Sequence, residues 1–168
     1  MDILYHALTG VTLSKGMGSE YAIPAAVSAM LPDLAGIWPF YYYKIVEAAK
    51  HPKNNFARTA FILLTSNKFA NASDTTSYRF THSLLSAGIF ALLCYLMMKD
   101  AWIVMSAGYV SHLIIDIPTH SGPFATRLLY PFSDVHFRGG TNWAKNAGRF
   151  VFFWIVLGAV SLWIWRTS

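Results

Sequence analysis

Apolar positions in this chain come in long blocks, not in stripes. Phe80 to Met98 (FTHSLLSAGIFALLCYLMM) runs 19 residues without a formal charge if His82 is counted as neutral. Lys99-Asp100 interrupts, and Ala101 to Ile115 (AWIVMSAGYVSHLII) continues until Asp116 closes the block. Phe150 to Trp165 (FVFFWIVLGAVSLWIW) gives 16 more residues between Arg149 and Arg166. A membrane-spanning helix needs roughly 17–25 apolar residues. The first block meets that length; the other two reach it only if flanking charged side chains snorkel to the interface. Trp102, Trp143, Trp163 and Trp165 stand near block ends, where indole rings favour the membrane–water boundary.

The first half is more broken. Residues 2–14 read as a short helix. Pro24 suits a helix start, Pro32 is expected to end that helix near Met30, and Pro39 to open another reaching about Lys50. Residues 51–55 read as a loop, 56–70 as helix, and 71–77 as a polar loop with Thr76 or Ser77 as N-cap. Pro118 to Asn142 carries Gly122-Pro123, Pro131 and Gly139-Gly140 and is expected to be irregular. No segment alternates as a strand does, and no internal repeat or linker divides the chain. The expected fold class is all-α: one membrane-embedded helical domain over 1–168. Its centre is an antiparallel hairpin (about 80–98 and 101–117), with a C-terminal apolar helix (150–165).

Composition agrees with a membrane setting. Charged residues are 12% of 168 and hydrophobic ones 55%, whereas soluble domains carry about 25% charge. That is too little charge to coat a soluble globule, although the apolar blocks alone also fit the buried helices of a soluble α-bundle. The single cysteine, Cys94, excludes a disulfide scaffold and reads as core packing. The N-terminus has Asp2 where a signal peptide would be basic, so insertion is expected to rely on the internal blocks. The net charge of +5 is scattered through loops with no patterned stripe, which speaks against a nucleic-acid partner.

The informative residues are the polar ones inside the apolar blocks. His112 and Asp116 are spaced i, i+4 and share a helix face. Such a pair is either a plain hydrogen-bonded couple or two ligands of one cation. The hairpin separates these readings. His82 lies 17 residues before Lys99, and Asp116 lies 16 after Asp100. At ~1.5 Å per residue both sit about 25 Å from the turn, with His112 at about 18 Å. Three donors thus converge at the end of the hairpin opposite its turn. Ionisable groups in apolar helices are costly and face inward with partners, which favours a shared site. His6 and Asp33 are further candidates that spacing does not place; Asp33, following Pro32, equally suits a turn cap.

At these residues the chain resembles the LexA-binding, inner-membrane-associated family described as membrane-bound metal-dependent hydrolases. The matching stretches are His6 with Gly10, Leu31-Pro32-Asp33-Leu34, Arg79-Phe80-Thr81-His82-Ser83-Leu84-Leu85, and Gly108 to Thr119 (GYVSHLIIDIPT) continuing to Leu129-Tyr130-Pro131-Phe132. The resemblance implies a helical membrane protein with a metal site at His6, Asp33, His82, His112 and Asp116. That family is in turn distantly similar to the zinc-dependent phospholipase C and P1 nuclease group, which cleaves phosphate esters on an all-α scaffold. Two positions depart from the family pattern: Ala35 replaces a second acid, and Tyr78 replaces a histidine before the Arg of the THS motif. Both remove potential ligands and point toward a single metal or a degraded site.

The chemistry expected from this set is zinc-assisted hydrolysis of a phosphate ester, such as a lipid headgroup or phosphorylated isoprenoid. Asp33 would be a ligand or the base that orients water. Arg79 would take a phosphate oxygen, unless it anchors to headgroups. His120, with Thr119, would support the site or protonate the leaving group. Arg79, Arg127, Arg138, Lys145 and Arg149 mark the site end against Lys99 and Arg166 at the other, so the positive-inside rule places the site on the cytoplasmic side of a multi-pass inner-membrane protein. Two other classes compete. One is a non-catalytic membrane protein with a structural or degraded His/Asp site. The other is a metal or proton transporter, for which a second polar layer near Ala91 or Ala107 is missing.

Overall fold

The computed structural model describes residues 2–49, 76–121, 125–137 and 146–168. The expected loop at 51–55, the helix at 56–70, and the glycine-rich pairs at 122–123 and 139–140 lie outside them. The described helices are α1 (Ile3–Gly16), α2 (Ala22–Ala49), α3 (Thr76–Thr81), α4 (Leu84–Met97), α5 (Trp102–Thr119) and α6 (Ala147–Thr167). Among the described residues the only β feature is an isolated bridge between Thr126 and Phe137.

Local chemistry sets most helix ends. The Asp2 carboxylate caps α1, accepting from the amides of Leu4 and Tyr5 at 3.0 Å each, and so satisfies donors that have no intrahelical partner. Asn146 caps α6 in the same way, through the amide of Arg149 at 3.0 Å. Ser83 is extended and accepts from the Ser86 amide. This cap splits the apolar block that begins at Phe80. Instead of one helix over 80–98 there are two, α3 and α4, with His82 in the break between them. The expected hairpin is present, as α4 and α5 joined at Lys99-Asp100.

Pro32 does not end a helix. α2 runs on through Pro32 and Pro39 to Ala49, so Asp33 lies inside a helix and not in a turn. A helical proline withholds the N–H that would bond the carbonyl four residues back, here Ser28. In this same turn the carbonyl of Ala29 receives a side chain from another helix, His112 Nδ1 at 2.7 Å. α6 starts three residues earlier and ends two later than its apolar block.

Helices α1 and α5 both cross α2 at Ala25. A Cβ on Gly10 would stand 2.4 Å from the Ala25 carbonyl oxygen, and one on Gly108 2.6 Å from the same atom. Only glycine permits both approaches, which bring the helices bearing His6, Asp33, His112 and Asp116 within side-chain reach of one another. The interior is polar: Ser14, Ser28, Ser83, Thr119 and Thr126 are buried with the histidines. The exterior is apolar. Leu92, Leu96 and Met97 of α4, and Ile155, Leu162 and Trp163 of α6, are each more than half exposed. This reverses the usual soluble arrangement and suits a lipid surround. Helix α6 has 21 residues, long and apolar enough to cross a membrane. At ~1.5 Å per residue it matches a hydrocarbon core of about 30 Å.

Candidate metal centre

Four side chains from three places in the sequence meet at one point. Asp33 comes from α2, His82 from the break before α4, and His112 and Asp116 from one face of α5. One donor atom from each lies within 4.8 Å of all the others. His82 Nε2 is 3.1 Å from His112 Nε2, 3.3 Å from Asp33 Oδ1 and 3.5 Å from Asp116 Oδ2. His112 Nε2 is 3.2 Å from Asp116 Oδ2 and 3.7 Å from Asp33 Oδ1. Ligands bound at ~2.1 Å around a tetrahedral ion are about 3.4 Å apart. Five of the six edges of this tetrahedron of donors fall at 3.1–3.7 Å.

The second ring nitrogens fix the tautomers. His112 Nδ1 meets the Ala29 carbonyl at 2.7 Å, and His82 Nδ1 meets the Tyr78 carbonyl at 2.9 Å. A carbonyl only accepts, so each ring carries a proton on Nδ1. In neutral rings both Nε2 atoms are then bare lone pairs pointing at each other and at two carboxylates. Lone pairs at that separation repel unless a positive charge is shared among them. A divalent cation satisfies all four donors at once, and a backbone carbonyl on the far nitrogen is the usual support for a metal-bound histidine. The donor set, two imidazoles and two carboxylates, suits zinc among other divalent ions.

Asp116 is fully buried and has a second side. Its Oδ1 lies 3.3 Å from His6 Nε2 and 3.1 Å from His120 Nδ1. His6 therefore adjoins the four-donor cluster without being one of its members. Its ring stacks on that of His112 at 3.7 Å. Burial first, and then the charge of His112, lower the His6 pKa to about 4, so this ring is neutral near pH 7. At Asp33 burial acts to raise the pKa, but the adjoining His82 and His112 rings, when protonated at Nε2 as well, outweigh it and hold the carboxyl below its usual value.

The structure thus brings together four of the five ligands implied by resemblance, with the fifth, His6, against Asp116. His120 is also present, 8% exposed. Arg79 sits on α3, three residues before His82 and half-buried. Tyr78 entered the sequence reading only as a lost ligand, and Ala29 not at all. Tyr78 stacks on the His82 ring at 3.9 Å, and its phenol is pushed well above the ordinary range by burial and then by Asp116 and Asp33. Ala29 acts through its carbonyl, which no side-chain pattern signals.

A family model described as YdjM inner membrane protein matches residues 1–168, the entire chain. The chain belongs to the YdjM inner membrane protein family. No curated protein and no solved structure matches it. Membership in the YdjM family associates the chain with the inner membrane. α6 is the described helix that meets the length for crossing it. The buried His/Asp cluster of this YdjM-family protein lies outside that helix, and buried ionisable groups are costly unless paired or metal-bound.

Proposed function

We propose that this YdjM-family protein is a metal-dependent hydrolase of a phosphate ester at the cytoplasmic surface of the inner membrane. The observation that carries the reading is the tetrahedron of donors, Asp33, His82, His112 and Asp116, with both imidazoles held in the tautomer that offers Nε2. A zinc ion bound there would lower the pKa of a coordinated water toward ~7 and make hydroxide available at neutral pH. His82, His112 and Asp116 would hold it, with the fourth corner of the tetrahedron, beside Asp33, left to that water. Asp33, whose side chain is 16% exposed against 0–1% for the other three, orients the attacking water from the open side. His120 donates a proton to the leaving oxygen, with Asp116 steering its ring. Arg79 binds a phosphate oxygen, which suits a lipid headgroup or phosphorylated isoprenoid as substrate.

The same reading extends to topology. The α4–α5 hairpin exposes Leu92, Leu93, Leu96 and Met97, and with this face it enters the bilayer as α6 does, making the protein multi-pass. The basic residues at the site end keep that end in the cytoplasm.

Burial supports a second reading. His82, His112 and Asp116 are at most 1% exposed, and Ala35 and Tyr78 take away potential ligands, so the metal would be structural. Metal analysis of the detergent-purified protein, with and without His82→Ala, tests both readings. Hydrolysis of phospholipid or polyprenyl phosphate in mixed micelles then separates them. The enzyme reading expects a bound transition metal, lost in the variant together with turnover. A chelator that melts the protein when no substrate turns over supports the structural reading. Absence of any transition metal overturns both.

A further inference from the structure

The membrane helix does more than anchor. We infer that Trp154 of α6 is a positioning residue for the metal centre, acting through Asp2 and the first turn of α1 to aim His6 at Asp116. This rests on the metal-centre reading above. Asp2 has two separate tasks. Its Oδ1 caps α1, and its Oδ2 accepts the indole N–H of Trp154 at 3.1 Å. Tyr5 meets the same indole edge to face at 5.5 Å, and Tyr5 and Leu157 form a buried apolar pair with Leu8 and Trp154 around them. The start of α1 is therefore clamped to α6 by one polar and one aromatic contact.

His6 follows directly. It is 0% exposed, its Nε2 faces Asp116 Oδ1 at 3.3 Å, and its Nδ1 has no hydrogen-bond partner among the described residues. Unlike His82 and His112, it has no backbone carbonyl to fix its ring. Its aim is set by the stack on His112, by Nε2 facing Asp116 Oδ1, and by where α1 begins. The other end of α1 has its own link to α6, Thr12 Oγ1 to Ser161 Oγ at 2.7 Å. That link lies well beyond His6 along the helix and provides an internal control.

The test uses the full chain in detergent with cobalt(II) as probe. Trp154→Phe keeps the ring and removes the donor. Asp2→Asn keeps a capping oxygen and turns the indole acceptor into a donor. Each is expected to change the visible cobalt spectrum and weaken cobalt binding about tenfold, the low end for groups that orient ligands. Ser161→Ala should match wild type, and Trp154→Phe should add nothing in a His6→Ala background. A metal-independent readout runs in parallel: the ring 15N resonances of His6 and the amide exchange of Tyr5 and His6. Trp154→Phe should shift the resonances and speed the exchange. Wild-type cobalt spectrum, affinity, resonances and exchange in Trp154→Phe would overturn the inference. If the wild-type protein binds no cobalt, the metal-centre reading fails. The resonances and exchange then decide the coupling of Trp154 to His6: a shift with faster exchange supports it, and no change overturns it.

Discussion

Replacing Asp116 by Asn is the most direct probe of the centre. The side chain is fully buried and contacts four imidazoles, His82 and His112 through Oδ2 and His6 and His120 through Oδ1. Asparagine keeps the shape and removes the charge. Interactions with charged partners are worth about 1.5–3 kcal/mol each. At ~1.4 kcal/mol per decade of affinity, losing one such ligand weakens divalent-metal binding about 10–100-fold, and both oxygens are in use here, which favours the upper end. In excess metal a 100-fold loss removes about 2.7 kcal/mol of metal-linked stability. For a chain of this size that is a reduction of roughly 5–10 °C in the metal-induced rise in Tm. Thermal unfolding followed by tryptophan fluorescence, with and without zinc, measures it directly. Subtracting the metal-free curve of each protein removes effects of the substitution on the fold itself. An undiminished zinc-induced rise in Asp116→Asn would refute the assignment of this carboxylate to the centre.

Further outcomes are expected. Gly10→Ala and Gly108→Ala each drive a Cβ into the Ala25 carbonyl and should cost at least about 1–3 kcal/mol, with loss of bound metal; chemical denaturation showing neither change would refute the crossing. His6, with its folded pKa of about 4 against an ordinary 6.5, resists protonation only when folded. The metal-free protein should therefore lose stability as pH falls from 6.5 toward 4, by up to about 1.4 kcal/mol per pH unit from this group. His6→Gln should flatten that slope in pH-dependent melts, and an unaltered slope would reject it. A reporter fused after Ser168 should read non-cytoplasmic if α6 crosses with the site end inside, and a cytoplasmic signal refutes that topology.

The sequence determined the helical class of the protein and three of the four clustered side chains, His82, His112 and Asp116. Long uncharged blocks read as helices buried in lipid or in a bundle, and His112 with Asp116 at i, i+4 share a face in any helix, because that spacing is nearly one turn. Equal path lengths from Lys99-Asp100 carried His82 to the same depth. Those inferences need only helix rise and pitch, which are local properties. Tertiary structure alone decided the rest. Asp33 reaches the centre because α2 continues past Pro32, which local rules would stop; packing of α1 and α5 on α2 overrides them, and Gly10 and Gly108 let that packing close. The block from Phe80 breaks at Ser83, which leaves His82 just past the end of α3 with its Nδ1 on the Tyr78 carbonyl. The His82 tautomer rests on a carbonyl only four residues back, that of Tyr78, but the His112 tautomer rests on a backbone oxygen of another helix, that of Ala29. A carbonyl belongs to every residue alike, so no pattern of side chains can announce which one will be used; only the way helices cross selects it.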